Sequence, residues 1–430
     1  MRISMFGTRG VPARYGGFET CVEEVGRRLA ERGHEVTVYC RLAETDTGDA
    51  APQQAEHLGM RLVHLPALRK KTLETLSHTA WSVRHALSAP PDVAFVFNAA
   101  NAPLLPLLRA RRIPVVTHVD GLEWKRAKWN GAGQRYYRLA EALAVRWSDA
   151  LIADAVGIQE YYSERFSVST EYIPYGAPIL GEIGADQLPE LELAARRYHL
   201  VVARFEPENH VHLAIQGYLE SSAECPLVVV GAAPYADEYT ARIKRLASAH
   251  EGVRLLGSVW NQERLDQLYG NALTYVHGHS VGGTNPSLLR AMGAAAPTSA
   301  FDVNFNREVL GEFGRYFGGP GDLAALFDEA EARPEETRLR GYAQLASLDR
   351  YEWDAVADSY EELATRTATT RRPARRLAPL RGWCQAHALT TSPARNLRPP
   401  PRNPHRQKEF SCLVPEGAFP PRPRCWRPLR

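Results

Sequence analysis

The stretch Arg2-Ile-Ser-Met-Phe6-Gly7-Thr-Arg-Gly-Val-Pro-Ala-Arg-Tyr-Gly16-Gly17-Phe18 decides the fold. Residues 2–6 are a short, apolar, β-compatible run, and a glycine-bearing loop follows it. Phe18, Cys21, Val22, Val25 and Leu29 then recur at the spacing of one helix face. Gly33 is placed to end that helix, and Glu35-Val-Thr-Val-Tyr-Cys40 reads as a second strand. Strand, loop, helix and strand in this order make the unit of a parallel sheet.

The same rhythm continues outward. Arg61–Leu65, Asp92–Phe97, Pro114–His118 and Ala150–Ala153 read as strands, with helices over Thr72–Ser88 and Gln134–Trp147 among them. A less regular stretch, 177–197, separates this lobe (1–176) from a second βα series over 198–345. Its strands are Tyr198–Ala203, Pro226–Val230, Val253–Leu256 and Ala272–Val276. The fold expected is α/β, with two doubly wound lobes facing each other across a cleft.

Composition bounds the rest. The 430 residues suit two or three domains, and 44% hydrophobic with 23% charged is an ordinary globular balance. No apolar run reaches the ~18–20 residues that cross a bilayer as a helix. The N-terminus leads straight into a strand and lacks the order of a secretory signal, so a cytoplasmic protein is expected. Residues 367–430 hold 13 Arg and one Lys against two Glu, which leaves 1–366 at −9 of the overall +3. That acidic body argues against a nucleic-acid partner. The 12 prolines and absent apolar period of 367–430 predict a disordered tail, either a basic arm for anionic lipid or a solvated extension. Six cysteines without a C-x-x-C pair argue against a zinc or redox site.

Ligands of open α/β sheets bind beyond the carboxyl ends of the strands. Gly16-Gly17 precedes a helix whose first turn presents free N–H groups and partial positive charge, a place for a phosphate or simply a tight turn. In the second lobe Arg204-Phe-Glu-Pro-Glu-Asn209 follows the first strand. His277-Gly-His-Ser-Val-Gly282-Gly283-Thr284-Asn285-Pro286 follows the fourth. Gly282 and Gly283 allow close backbone approach, and Thr284 and Asn285 are cap residues for a helix starting near Pro286. Arg204 supplies a permanent cation. Both lobes thus aim a glycine-bearing helix start at one cleft.

These segments, together with Val119-Asp120-Gly-Leu-Glu-Trp-Lys-Arg-Ala-Lys-Trp129, resemble glycosyltransferase family 4, and more narrowly its bacterial rhamnosyltransferase-like branch. The resemblance covers roughly residues 1–365. It implies a GT-B fold whose last helices, near 346–366, cross back onto the N-terminal lobe. The implied reaction moves a sugar from a nucleotide-diphosphate donor to a saccharide or lipid-linked saccharide, with retention, in polysaccharide synthesis. No bound metal and no cofactor is implied, and no Asp-x-Asp motif sits where a metal would need one. By the same resemblance Gly16, Gly17, Arg204, Asn209, Gly282, Gly283, Thr284, Asn285 and Arg290 occupy donor-binding positions, and Asp120 and Arg204 are the catalytic candidates. Asp120 stands where many relatives place a histidine. His118, two residues away on a strand, is read as core or supporting.

Three departures stand out. Asn209 replaces a phosphate-binding Lys, and Gly282 the first Glu of a Glu-x7-Glu pattern. Arg290 replaces the second Glu, which accepts ribose hydroxyls in the family. Each such bond lost costs about 1.5–3 kcal/mol, so a catalytically impaired binding partner is the alternative reading. Trp124-Lys-Arg-Ala-Lys-Trp-Asn130 with Arg135, Tyr136, Tyr137 and Arg138 mixes aromatic and basic residues. It reads either as a peripheral contact with the inner face of a membrane or as a loop and helix over the cleft with solvated charges. His277 and His279 lack a third ligand nearby and read as structural or substrate-contacting. A nicotinamide-dependent oxidoreductase is disfavoured, since no G-x-G-x-x-G is present.

Overall fold

The computed structural model describes residues 1–13, 16–42, 54–68, 73–126, 129–232 and 237–370. The chain runs β1 (Arg2–Phe6), α1 (Gly17–Glu31), β2 (Glu35–Arg41), β3 (Glu56–His57), β4 (Met60–Leu65), α2 (Glu74–Ala86), β5 (Val93–Phe97), α3 (Leu105–Ala110), β6 (Val115–His118), α4 (Gly131–Trp147), β7 (Ala150–Ala153), α5 (Val156–Phe166) and β8 (Glu171–Tyr172). It continues with β9 (His199–Val202), α6 (Val211–Glu220), β10 (Leu227–Val230), α7 (Asp237–Ala247), β11 (Val253–Gly257), α8 (Gln262–Gly270), β12 (Thr274–His277), α9 (Pro286–Gly293) and β13 (Thr298–Phe301). Last come α10 (Asn304–Leu310), β14 (Arg315–Phe317), α11 (Pro320–Ala332), α12 (Pro334–Ala346) and α13 (Trp353–Thr369).

The described strands form two sheets. The first has the order β3-β4-β2-β1-β5-β6-β7-β8, parallel except where β3 meets β4. The second has the order β11-β10-β9-β12-β13-β14 and is parallel throughout. Helices cover both faces of such sheets, which is why central strands such as Val93-Ala-Phe-Val-Phe97 and Leu227-Val-Val-Val230 are buried along their length. The apolar stripe of α1, Cys21, Val22, Val25 and Leu29, shares a core with Ile3, Met5, Val36 and Val38 of β1 and β2.

Strand order reverses at β1 and β5 in the first lobe and at β9 and β12 in the second. At those switch points the crossover helices leave on opposite faces, opening a crevice beyond the strand ends. The loops after β1, β9 and β12 therefore stand at the two crevices.

The pattern reading finds four strands in the second lobe, and the structure adds β13 and β14. Thr298-Ser-Ala-Phe301 and Arg315-Tyr-Phe317 are short and partly polar, so pairing to a neighbouring strand, not local pattern, makes them strands. Helix α13 runs to Thr369, past the point where composition places the start of the tail. Residues 371–430 of that tail, Thr72, Ala127, Lys128, Arg14 and Tyr15 lie outside the described residues.

Helix α13 packs on the first lobe. It buries Trp353, Val356, Tyr360 and Leu363, each apolar burial worth about 1.5–3 kcal/mol. Tyr360 Oη lies 2.9 Å from His118 Nδ1 and 3.6 Å from Cys21 Sγ. At the rim Arg28 pairs with Asp354 at 2.6 Å and Arg32 with Glu361 at 2.7 Å. These exposed pairs contribute little beside the buried rings.

Candidate active site

The first lobe contributes strand ends. Helix α1 starts at Gly17, with Gly16 as its cap residue at φ 112°. No side chain caps this start, so its first N–H groups stay available to an anion. Asp120 follows β6 at φ 66°, an unusual conformation for a residue with a side chain, and two bonds hold it. Asn98 Nδ2 donates to its Oδ2 at 2.9 Å, and the Gly121 N–H to its Oδ1 at 2.8 Å. Asn98 itself follows β5, at φ 74°, and its Oδ1 accepts from the Ala100 N–H at 2.9 Å. His118 is buried, and burial pushes its imidazole down to about 3, so it stays neutral at working pH.

The second lobe contributes two loops that brace each other. Asn209 is buried, and its Nδ2 donates to the Arg204 carbonyl at 2.9 Å. His210 Nδ1 meets the Gly278 carbonyl at 2.7 Å, and Ser280 donates through its N–H to the Glu208 carbonyl at 2.9 Å. Asn285 caps α9, accepting from the Ser287 N–H at 3.0 Å and the Ser287 hydroxyl at 2.7 Å. Thr284 is not a cap: its hydroxyl donates across the lobes to the Asp154 carbonyl. His277 and His279 stack with centroids 4.4 Å apart. Among the described residues no group of three or more His, Cys, Asp and Glu is placed to hold a metal.

The two sets of loops meet. A Cβ on Gly17 would lie 3.0 Å from Pro286 Cγ, so the starts of α1 and α9 touch. A Cβ on Gly121 would lie 2.6 Å from Gly282 Cα, and one on Gly283 would overlap the Asp154 carboxylate. Side chains at Gly121 and Gly283 would therefore hold the lobes apart. Gly16, Gly17, Asp120, Gly282, Gly283, Thr284 and Asn285 lie along this seam.

Arg290 does something else. Its guanidinium pairs with Asp266 on α8, whose Oδ1 also accepts from Gln262 Nε2 at 3.1 Å. The acceptor expected from the family pattern is thus a cation tied to a carboxylate on the adjacent helix.

Sequence reasoning missed three participants. Asp154, directly after β7, is buried with Oδ1 lacking a hydrogen-bond partner. Burial, then the Asp120 and Glu308 charges, raise its carboxyl to about 8. The signal was available, because Asp154 ends a strand as Asp120 does. Arg126 is the second. Its side chain is only 16% exposed; it pairs with Glu123 and reaches Glu206 of the other lobe at 3.8 Å. Burial works against its charge, but Glu123, Asp120, Glu206 and Glu208 more than offset that and raise its pKa. The solvated-charge reading of this stretch therefore fails at Arg126. Its aromatic residues pack internally: Arg138 lies 4.4 Å over Trp124, and Trp129 meets Tyr137 at 4.9 Å. Glu206 is the third participant, also 3.5 Å from Arg204.

Residues 16–176 match the glycosyl transferase 4-like domain, and residues 189–343 match glycosyl transferases group 1. No match to the sequence was found among curated proteins. The fold is similar to a sucrose-phosphate synthase from Thermosynechococcus elongatus, with TM-score 0.72 and 18% identity over 85% of this chain and 98% of that one. It is also similar to Anabaena HepE in complex with UDP, with TM-score 0.67 and 16% identity over 85% and 100% of the chains. The OtsA apo structure gives TM-score 0.65 at 11% identity over 85% and 99%. Two consecutive matches to glycosyl transferase domains, on two Rossmann-like sheets similar to those of solved glycosyltransferases, give this chain the GT-B fold.

Proposed function

We propose that the protein is a retaining glycosyltransferase that moves a sugar, rhamnose among the candidates, from a nucleoside-diphosphate sugar to a polysaccharide or lipid-linked saccharide. The observation that carries this reading is the contact of Gly17 with Pro286, which brings two helix starts from opposite lobes together. Anabaena HepE was solved with UDP and with UDP-glucose, which supports a nucleotide-sugar donor.

The chemistry follows from charge. The bond from the sugar's anomeric carbon to the diphosphate oxygen breaks, and its electron pair leaves with the diphosphate. The N–H groups at the starts of α1 and α9, with the Arg204 guanidinium, stabilise the charge that grows there. This needs no metal. The acceptor oxygen bonds to the anomeric carbon on the face the diphosphate leaves, and its proton passes to a leaving-group oxygen. Asp120, held by Asn98 and the Gly121 N–H, accepts a hydrogen bond from a sugar hydroxyl. A lipid-linked acceptor would bring the protein to the inner face of a membrane. No described helix is long and apolar enough to cross one.

The test is release of nucleoside diphosphate from UDP-glucose, GDP-mannose and dTDP-rhamnose, with Arg204→Gln as control. Loss of the guanidinium should cost about 10²–10³-fold in turnover. A wild-type protein that neither binds nor consumes any nucleotide-sugar ends the reading. The Arg290–Asp266 pair favours one other reading, a catalytically impaired partner in polysaccharide assembly. Nucleotide binding without turnover would select it.

A further inference from the structure

Arg126 and Arg204 come from opposite lobes, yet share one carboxylate. Glu206 Oε1 lies 3.5 Å from Arg204 Nη1, and Glu206 Oε2 lies 3.8 Å from Arg126 Nη1. Both separations exceed the ~2.7–2.9 Å of a tight charge-assisted bond. Glu206 is therefore held by charge more than by geometry. Glu123, by contrast, sits one turn from Arg126 and is paired closely with it, so it belongs to the same piece of chain.

The balance of charge around this node matters. Asp120, Glu123, Glu206 and Glu208 all act on Arg126, against the positive charge of Arg126 and of Arg204 nearby. His279 feels both guanidinia, and burial together with their charge keeps it neutral. A diphosphate approaching Arg204 meets the Glu206 carboxylate beside it, which repels it. Glu206 lies within 4 Å of both guanidinia; its side chain is 21% exposed, and its Oε2 is buried without a hydrogen-bond partner.

We propose that Glu206 is a displaceable counter-ion, and that a donor's diphosphate binds by replacing it on Arg204 and Arg126 together. The proposal rests on the nucleotide-sugar reading above and deepens it. It makes Arg126 the first lobe's cation in the diphosphate site. The fork of a guanidinium fits phosphate oxygens in a bidentate way, so exchange trades two long contacts for shorter ones. Because Arg126 and Arg204 come from different lobes, the exchanged anion also ties the lobes to each other. Glu206 then sets the threshold: a ligand without a phosphate charge cannot displace it, and a diphosphate can.

The experiment is calorimetric titration of the full chain with UDP, and in parallel with uridine, at low salt. The proteins are wild type, Glu206→Gln, Arg126→Gln and Arg204→Gln. Glu206→Gln keeps size and shape but removes the competing charge, so UDP should bind about three- to tenfold more tightly, the scale of one partly exposed pair. Uridine affinity should not change. Arg126→Gln should weaken UDP by about tenfold and leave uridine alone, and thermal unfolding without nucleotide checks that each variant is folded. If wild type binds UDP and Arg204→Gln loses it, while Glu206→Gln and Arg126→Gln match wild type, the exchange is wrong and the transferase reading stands. Tightening of UDP and uridine alike by Glu206→Gln would also overturn it, since that indicates a change in shape. If UDP, ADP, GDP and dTDP all fail to bind wild type, both readings fall.

Discussion

The Thr284 hydroxyl donates to the backbone carbonyl of Asp154, joining the residue after β7 of the first lobe to the loop that opens α9 in the second. The bond lies where Gly283 passes over the Asp154 carboxylate, so two adjacent residues of the seam depend on one strand end. Gly283→Ala would push a methyl group into that carboxylate. The cost should be about 1–3 kcal/mol of stability, as for overpacking elsewhere, together with a severe loss of turnover. Thr284→Val should cost only about 0.5–1.5 kcal/mol, the worth of one bond. Thermal unfolding and steady-state kinetics read both; equal effects from the two variants would contradict the account.

Asp154 should make stability depend on pH. Its carboxyl is raised to about 8 in the folded protein, from the ordinary 3.8. Between those values the folded state holds a proton that the unfolded chain has released. The stabilisation is therefore complete below the ordinary value and is lost as pH rises through about 8. The slope should be up to ~1.4 kcal/mol per pH unit, the worth of one proton. Asp154→Asn should remove it. Urea unfolding of both proteins from about pH 5 to 8.5 tests this, and parallel curves would show that Asp154 is not the group.

Asn98 positions Asp120. Asn98→Asp tolerates the left-handed backbone and can still accept from the Ala100 N–H, but it cannot donate to Asp120 and adds a like charge beside it. Turnover should fall about 10–100-fold through misplacement of the Asp120 carboxylate. UDP affinity should hold, because neither residue touches the diphosphate in the mechanism above. Kinetics and calorimetry together decide it: a matching loss of UDP binding would mean a general collapse of the loop.

Arg290 and Asp266 should be read as a pair. Arg290→Glu alone restores the family's residue type but sets it against Asp266, so it should lower stability and fail to improve nucleotide binding. The exchanged pair Arg290→Glu with Asp266→Arg keeps the attraction and frees one carboxylate oxygen for a ribose. It should bind UDP more tightly than Arg290→Glu alone, by about tenfold or more, the worth of one bond to a charged group. Equal affinities would show that position 290 does not face the ribose.

Much of this protein is legible in one dimension. The run Arg2–Phe6, the stripe Cys21, Val22, Val25, Leu29 and the strand from Glu35 carry their periods openly, and the structure has β1, α1 and β2 there. The start of α9 at Pro286 and its Asn285 cap were likewise readable, because capping is local chemistry. β13 and β14 were not, since Thr298–Phe301 and Arg315–Phe317 become strands only beside a formed sheet. Thr284 looked like a cap and is a cross-lobe donor, a role that no neighbour in sequence reveals.

The sequence alone determined the α/β character, the two lobes and the loops at the strand ends, because period, glycine placement and capping act over a few residues. Tertiary structure decided which charges meet. Arg126 and Glu206 are 80 positions apart, and Arg290 and Asp266 are 24 apart on separate helices. Coulomb attraction depends on distance in space and on the water excluded between the groups, and neither quantity is written in the order of residues.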